Sequence, residues 1–331
     1  MSEAIGTGKR QRTSAWAPPG FIQTPPVFVW PPRPGKFLRW FFGFPGYLWP
    51  WNAAYFLIAL ATWWLLTPTL AAMKHFAPGW VAILFLRNAA VLMAVAGAWH
   101  LRLYTLKAQD LQFKYSGRWP AGPDKNFLFR NQLFDNLFWT FCSAVPIWTA
   151  YEALTFWMQA NHWIPTVSWQ QRPVYCVLLT LFIPLFREVH FYLVHRLLHV
   201  PALYRTVHKL HHNNINPGPW SGMSMHPVEH LLYFSGVLLH WIVPSHPLHV
   251  VFHLQHLAFA PSQGHSGFHK VVLRDGKTFD SDHYMHYLHH RYFEVNYGGD
   301  GLVPLDRWFG TFHDGSEEAQ EGMNRRLLQR N

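Results

Sequence analysis

The chain has 331 residues, of which 50% are hydrophobic, 18% are aromatic and only 13% are charged, a composition too apolar and aromatic for an average soluble protein. Its formal net charge of +10 would, taken alone, be compatible with a nucleic-acid-binding protein. The Lys and Arg residues, however, concentrate in alternate connections along the chain instead of forming one basic patch. We therefore expect an integral-membrane protein that binds no nucleic acid.

Residues 1–50 are rich in Pro and Trp. The string PPGFIQTPPVFVWPPRPG cannot form a continuous helix, because proline lacks the amide donor that a helix needs. We expect this segment to lie extended, in the cytosol or along the membrane surface. No apolar stretch follows its basic residues, so the pattern predicts no cleavable secretion signal.

Residues 51–173 are predicted to form transmembrane helices. The clearest span is 53–72, which carries no charge and has about the twenty residues that cross a hydrocarbon core of about 30 Å. Residues 80–104 and 133–158 are two further spans, and each contains charges, among them Arg87 and Glu152, that need protein partners. Residues 174–186 form a fourth apolar stretch that leads directly into the first histidines.

The distribution of positive charge predicts the orientation. Six Lys and Arg lie in residues 1–52 and five lie in residues 105–132, whereas the connections 74–79 and 159–173 hold one each. By the positive-inside rule, both termini and the histidine-bearing region lie in the cytoplasm. The C-terminus lacks a retention signal for the endoplasmic reticulum (ER), which favours a bacterial inner membrane over the ER.

Histidines recur at helical spacing in the C-terminal half. They are His195 and His199; His208, His211 and His212; His265 and His269; and His286, His289 and His290. Residues three and four apart lie on one face of a helix, so each cluster projects its rings together. Ten imidazoles are too many for one tetrahedral zinc, which needs four ligands. Two transition-metal ions with about five ligands each fit the number better.

The apolar stretch 231–260 separates the histidine clusters. A single crossing would place the clusters before and after it on opposite sides of the membrane, where they could not build one site. We therefore expect a hairpin or a re-entrant pair divided at Pro244, and four to six crossings in total. His246, His249, His253 and His256 form a stripe on this stretch, which we interpret as a packing stripe, with a substrate or proton route as the alternative.

Imidazole binds iron, zinc, copper and nickel, so histidine does not identify the metal. A site at a membrane surface faces apolar substrates whose C–H bonds resist acids, bases and nucleophiles. Iron that activates O2 is the usual solution for such bonds.

A set of ordered motifs covers residues 174–313. In chain order they are His195-Arg-Leu-Leu-His199, His208-Lys-Leu-His211-His212, His226-Pro-Val-Glu229, His265-Ser-Gly, His286-Tyr-Leu-His289-His290, Asn296-Tyr-Gly and Asp306-Arg-Trp-Phe-Gly-Thr311. This region resembles the fatty acid hydroxylase and sterol desaturase superfamily of integral-membrane di-iron enzymes.

The resemblance implies an all-α fold, an integral-membrane helical bundle whose cytosolic helical cap holds the histidines, followed by a polar tail over 314–331. It implies two iron ions held by the ten histidines of the four clusters, O2 as co-substrate, and hydroxylation or desaturation of a lipid of sterol, hopanoid or acyl type. The chain contains no flavin or dinucleotide glycine motif. We therefore expect an external electron donor, a ferredoxin or a cytochrome with its reductase.

Several residues beside the motifs stay open. His190, His226 and His283 are alternative ligands, and one of His265 and His269 is alternatively a hydrogen-bond partner of a ligand. Glu188, Glu229 and Asn296 are candidates to orient ligands or a metal-bound water, with His226 as the partner of Glu229. Asp306 is expected to fix the final loop by pairing with Arg307 or Arg291.

Two other function classes compete. A histidine-rich metal transporter or metal-binding protein would place its ligands on broken helices at the middle of the membrane, whereas these clusters follow the apolar spans. A zinc metalloprotease needs His-Glu-x-x-His, a string that this sequence lacks. Neither the substrate nor the choice between hydroxylation and desaturation is encoded in the ligand residues.

Overall fold

The structure, a computed structural model, describes residues 16–18, 23–120, 122–281, 283–299 and 301–328. The α-helices in these ranges are α1 Pro34–Phe42, α2 Ala53–Leu66, α3 Pro78–His100, α4 Gln132–Trp139, α5 Val145–Ala160, α6 Pro173–Leu198, α7 Pro201–Leu203, α8 Lys209–His212, α9 Pro227–Phe234, α10 Leu239–Ile242, α11 Pro247–Gly264, α12 Tyr284–Tyr292, α13 Leu305–Trp308 and α14 Glu317–Leu328.

Two of the described helices are long and apolar enough to cross a membrane. One is Pro78–Thr105, in which a π-helical turn continues α3, and the other is Pro173–Leu198, which is α6. At 1.5 Å per residue α6 is about 39 Å long, more than the hydrocarbon core of about 30 Å. The described part of the chain is therefore mostly helical and contains two candidate membrane spans.

The first predicted span is shorter than expected. Helix α2 ends at Leu66 after 14 residues, a length of about 21 Å. The following Thr67 is extended, with φ −106° and ψ 127°, because the ring of Pro68 disfavours helical backbone in the residue before it. The predicted span 133–158 corresponds instead to a long helix, in which α4 and α5 are joined by the π-helical segment Thr140–Ala144.

The charges of these spans have protein partners. Arg87 Nη2 lies 2.5 Å from Glu152 Oε2, and both side chains are buried. Asn88 donates to the same carboxylate oxygen at 2.8 Å, and Arg87 also donates to Thr67 Oγ1 at 2.7 Å. The pair joins α3 to α5, and each charge is compensated as a buried charge must be.

Helix α11 is the central element of the core. It is buried along nearly its whole length and packs against α2, α3, α5 and α6, so that its histidines His249, His253 and His256 are buried together with its apolar side chains. The chain reverses between α10 and α11, and the Tyr233 hydroxyl donates to the Leu257 carbonyl at 2.7 Å across the two arms. Residues 231–260 therefore have the hairpin shape that topology requires.

The fold is not entirely helical. Strands β1 Lys270–Val272 and β2 Thr278–Asp280 form an antiparallel hairpin in which Val271 is opposite Phe279. The turn contains Asp275-Gly276, and Gly276 has a φ of +76°, which glycine adopts without strain. The described part of the chain is therefore mostly helical, as predicted, with one small β-hairpin that the all-α prediction did not include.

Both ends of the chain are more helical than predicted. Helix α1 forms within the Pro/Trp-rich segment because Pro34 occupies its first position, where the missing amide costs nothing. Helix α14 forms in the predicted polar tail and buries Met323. Residues 1–15, 19–22 and 329–331, which belong to the predicted terminal segments, lie outside the described residues.

Candidate metal centre

Four helical segments carry the clustered histidines to one place. His195 lies in the last turn of α6 and His199 directly follows that helix. The second cluster spans a π-helical turn and α8, and the last cluster lies on α12. His265 follows the C-terminal end of α11.

Five histidines form a first group. Its members are His195, His199, His208, His212 and His289. The Nε2 atom of His212 lies 3.2 Å from that of His199, 3.0 Å from that of His208 and 3.1 Å from that of His289. The Nε2 atoms of His195 and His208 are 3.1 Å apart. His212 is therefore the centre of the first group.

Four histidines form a second group. Its members are His211, His265, His286 and His290. The Nε2 atom of His286 lies 2.7 Å from that of His265 and 3.2 Å from that of His290. The two groups adjoin, since the ring centroids of His212 and His290 are 4.9 Å apart. Nine of the ten predicted ligands are thus brought together as five and four.

Hydrogen bonds to the opposite ring nitrogens determine which lone pairs face inward. The Nδ1 atoms of His195, His211 and His289 lie 2.6–3.1 Å from the backbone carbonyls of Tyr297, Ser224 and Val295 respectively. A carbonyl only accepts, so each Nδ1 carries the proton and each Nε2 keeps a lone pair.

His265 has the same tautomer for a different reason. Its Nδ1 lies 2.8 Å from Ser221 Oγ, and that hydroxyl already donates its single proton to the Gly218 carbonyl at 2.7 Å. The hydroxyl must therefore accept from Nδ1, which leaves the Nε2 of His265 unprotonated.

The convergent nitrogens fit a bound cation. Where neither nitrogen of such a pair carries a proton, the two lone pairs repel at 2.7–3.2 Å, and a positive ion relieves that repulsion. Two imidazole nitrogens that share an ion at about 2.1 Å lie about 3.0–3.4 Å from each other in octahedral or tetrahedral geometry. The observed spacings are close to this range, so each group can hold one metal ion.

Burial keeps these imidazoles neutral. It lowers the pKa of His208 to about 3 and the pKa of His211 to about 4, because desolvation disfavours the charged imidazolium. Both side chains are therefore available as ligands at pH 7. His199 is the most exposed member of the first group.

One buried carboxyl contacts the first group. Glu229 Oε1 lies 2.8 Å from His208 Nδ1, and the side chain is almost completely buried. Burial raises the pKa of Glu229 to about 8, while the nearby His211 opposes the shift. A cation bound beside His208 would favour the carboxylate form. Carboxylate partners of this kind orient a ligating histidine and increase its basicity.

A small cavity of about 30 Å³ lies between the groups. His195 and His208 of the first group and His211, His265 and His286 of the second line it, together with Glu229. Its remaining walls include the apolar side chains of Phe191, Met225 and Pro261. The cavity thus gives access to ligands of both groups from a mostly apolar side.

The structure does not bring His269 to either group. Helix α11 ends at Gly264, and Gly267 has a φ of +78°, so the four-residue spacing from His265 no longer corresponds to one helix face. The Nδ1 of His269 instead lies 3.1 Å from the Tyr115 hydroxyl, and its ring packs on Trp16. The structure therefore places His269 outside both groups, and its role as a ligand stays a prediction.

The three alternative ligands also lie outside both groups. The Nε2 of His190 lies 3.1 Å from Ser235 Oγ. His226 accepts the Val228 amide at the start of α9. His283 precedes α12 in a non-helical conformation, so it does not share the face of His286, although it lines the small cavity.

The predicted polar residues of the final loop have structural contacts. Glu188 Oε1 accepts the Gly301 amide at 2.9 Å, and Asn296 donates to the Met285 and His313 carbonyls. Asp306 accepts the amides of Tyr297 and Gly298. Asp306 therefore fixes the loop through backbone amides, where the sequence predicted an arginine partner. This loop supplies the Tyr297 carbonyl that orients His195.

The carbonyl partners of the ligands could not be found from the sequence. Every residue has a backbone carbonyl, so nothing distinguishes Tyr297, Ser224 or Val295 before the fold is known. Ser221 carries a hydroxyl, but only its contact with His265 gives it a role.

Comparisons with known proteins agree with this site. The model of the fatty acid hydroxylase family matches residues 180–311. A Delta(7)-sterol 5(6)-desaturase of Eremothecium gossypii is 32% identical over 143 residues, which cover 42% of this chain and 38% of that protein. A Delta(7)-sterol 5(6)-desaturase of Aspergillus fumigatus is 32% identical over 163 residues, which cover 42% of this chain and 49% of that protein.

These similarities are partial. The chain spans less than half the length of these curated relatives, and no solved structure matches it. The matched region contains all nine converging histidines and Glu229. Residues 180–311 of this chain therefore match the fatty acid hydroxylase family, and the relatives to which the chain is similar are sterol desaturases.

Proposed function

We propose that this chain is a membrane-bound, non-haem di-iron oxygenase that hydroxylates or desaturates a C–H bond of a lipid, with O2 and electrons from an external donor. The observation that carries the proposal is the convergence of nine buried imidazoles in two adjoining groups. At least four of them have a tautomer that directs a lone pair inward.

In this proposal the first group holds one iron and the second group holds the other. When bound, the two irons would supply the O2 chemistry that breaks unactivated C–H bonds, for which protein side chains have no equivalent. The carbonyls of Tyr297, Ser224 and Val295 hold three of the rings in place. Glu229 holds His208 and supplies negative charge close to the ligands.

The surroundings of the site favour an apolar substrate. Phe191, Met225 and Pro261 line the cavity between the groups, and burial of the histidines keeps bulk water away from it. The reacting part of the substrate would therefore lie in a mostly dry, apolar space, where a hydrocarbon is accommodated better than a polar group.

Membrane location has independent support. Helix α6 carries His195 in its last turn, so the site lies at the end of a helix that can span a bilayer. Apolar side chains of that helix are exposed, including Val174, Leu178 and Leu193, and such exposure is typical of a lipid-facing surface. The cytoplasmic orientation is proposed from the distribution of Lys and Arg. The choice of a bacterial inner membrane stays a prediction, and the relatives compared above are fungal.

The proposal is tested with purified protein that retains its metal. We expect iron in the protein, and we expect a hydroxylated or desaturated lipid when O2, a ferredoxin with its reductase, and total membrane lipid are supplied. His289→Ala should form no product while still inserting in membranes. Full turnover of protein depleted of iron, or of the His289→Ala variant, would contradict the proposal.

A further inference from the structure

A second and much larger cavity lies beside α11. It has a volume of about 750 Å³ and is half open to the outside. One wall is formed by the N-terminal segment, with Trp40, Trp49 and Trp51, and the opposite wall includes residues from the C-terminal half of α11. The N-terminal segment precedes the region that matches the family, so this wall is a feature of this chain beyond that match.

The large cavity adjoins the metal centre. Ala260 and His283 line the large cavity and also line the small cavity between the two histidine groups. His283 packs beside Gly264, one residue before the ligand candidate His265. These two residues therefore form a wall that the large cavity shares with the metal centre.

The outer end carries two cations. Lys36 and Arg39 line the cavity and lie three residues apart on α1, on one face of that helix. Both are exposed, and neither has an ion-pair partner among the residues that the structure describes. Asp280 also lines the cavity, but its carboxylate pairs with Lys270 at 3.2 Å. Positive charge therefore predominates at the mouth.

Helix α1 also exposes apolar side chains. Leu38 is 53% exposed and lies on the side away from Lys36, whereas Phe42 is 60% exposed and lies next to Arg39, which it follows by three residues. A short helix that exposes both basic and apolar side chains is suited to the membrane interface. The mouth of the cavity would then open at the level of lipid head groups.

Polar groups deeper in the cavity are already paired with each other. The Tyr55 hydroxyl donates to Gln263 Oε1, and His256 Nε2 lies 2.7 Å from Asn52 Oδ1. Gln263 also donates to the Ser281 carbonyl. Because these side chains bond to one another and to the backbone, the named hydrogen-bonding atoms of Tyr55, Gln263 and Asn52 are already engaged within the protein.

We propose that this cavity binds a membrane lipid with an anionic head group, held at the mouth by Lys36 and Arg39, with its hydrocarbon chain directed past Trp40 and Trp51 toward Ala260 and His283. The inference rests on the proposed function for the identity of the reacting end. The anionic head group is either a carboxylate or a phosphate, and both groups accept charge-assisted hydrogen bonds from Lys and Arg.

The test measures binding without turnover. Protein treated with chelator is reconstituted in neutral detergent, and the dissociation constants of palmitate, hexadecyl phosphate, hexadecanol and cholesterol are compared. We expect at least one of the two anionic probes to bind at least tenfold more tightly than hexadecanol, and the tighter of them identifies the head group. Lys36→Ala/Arg39→Ala should remove that preference, and Lys36→Glu/Arg39→Glu should reverse it.

The matched control is Lys277→Ala/Arg325→Ala, which removes the same two charges from exposed positions that do not line the cavity. It should keep the wild-type preference. Equal binding of hexadecanol or cholesterol and the anions by the wild type, or an unchanged preference in Lys36→Ala/Arg39→Ala, would overturn the inference. Charge-dependent binding in this assay, combined with no oxidised product from untreated, metal-retaining protein supplied with O2 and an electron donor, would support the cavity and contradict the proposed function, so the two failures are distinguishable.

Discussion

This chain has two sets of buried histidines, one in the metal centre and one in the hairpin of α10 and α11, and their surroundings differ. In the metal centre, Nε2 atoms approach one another at 2.7–3.2 Å, while the opposite nitrogens of His195, His211 and His289 are held by backbone carbonyls. The second set lies in the hairpin of α10 and α11 and comprises His240, His249, His253 and His256, which we call the hairpin histidines. Their rings contact other protein groups. His249 Nε2 lies 3.0 Å from the Cys176 carbonyl, and His240 Nδ1 lies 2.8 Å from Ser245 Oγ.

The difference shows what makes a histidine a candidate ligand. Helical spacing and burial are common to both sets. Only in the metal centre do at least three ring nitrogens converge on one space. Among the hairpin histidines the nearest approach is a single pair, His240 Nε2 and His253 Nδ1 at 3.1 Å. A packing role therefore describes the hairpin histidines better than a metal role.

The largest expected effect comes from removing a ligand of the metal centre. His289→Ala should reduce turnover by more than about 100-fold and should lower the iron content. Loss of a residue that only hydrogen-bonds a ligand already costs up to about 100-fold, and loss of a ligand itself should cost more. The measurement is product formation together with elemental analysis. A variant that kept its metal would remove the distinction between the two sets of histidines.

Glu229→Gln should have the next largest effect. The amide keeps the size of the side chain but loses the negative charge beside His208, and loss of such a partner lowers metal affinity by about 10- to 100-fold. Competition with a chelator measures the affinity. Glu321→Gln, on the exposed surface of α14, is the control and should leave the affinity unchanged.

Metal retention should extend to unusually low pH. Burial lowers the pKa of His208 to about 3 and of His211 to about 4, so protonation competes with metal only as the pH falls toward those values, and binding returns as the pH rises. We expect iron to be retained at pH 5.5, where an exposed histidine site with a pKa of about 6.5 would release it. Equilibrium dialysis at several pH values, with helical content followed in parallel, measures the release. Complete release near pH 6.5 with the helices intact would contradict the burial argument.

The smallest effect on metal should come from a hairpin histidine. His249→Ala removes buried hydrogen bonds to Cys176 and to the His246 amide, and we expect a loss of about 1–3 kcal/mol in the free energy of unfolding with an unchanged metal content. Denaturation and elemental analysis of the same sample measure both quantities. A parallel loss of iron would show that the hairpin contributes to the metal centre.

The spacing of the histidines predicted which rings converge where a helix continues through a cluster. His195 with His199, the triplet at 208–212 and the triplet at 286–290 all lie on helical segments or directly follow one, so spacing and geometry agree. His269 does not converge with them because the helix ends at Gly264, and a four-residue spacing does not define a common face beyond that point. The antiparallel hairpin has a local sequence signal, Asp275-Gly276 between short β-branched runs. The helical pattern on both sides of this signal favoured an all-α prediction.

Other features depend on contacts that no local pattern specifies. Helix α2 ends where it does because of Pro68, a residue visible in the sequence. The prediction of a span over 53–72 rested on hydropathy and did not take that proline into account. The large cavity is lined by α1 and by the end of α11, residues more than 200 positions apart, and composition alone predicted only an extended segment at α1. The pairing of Arg87 with Glu152 is an intermediate case, because the need for partners was predicted and their identity was not.

The most direct test of the account is the number of metal ions per chain in three proteins. Elemental analysis should give about two iron ions in the wild type, the number expected for two separate histidine groups. His199→Ala, which changes the first group alone, and His290→Ala, which changes the second group alone, should each hold about one. A wild type that is fully active with one ion, or two variants that both keep two ions, would contradict the central claim that the five-histidine and four-histidine groups each hold a metal.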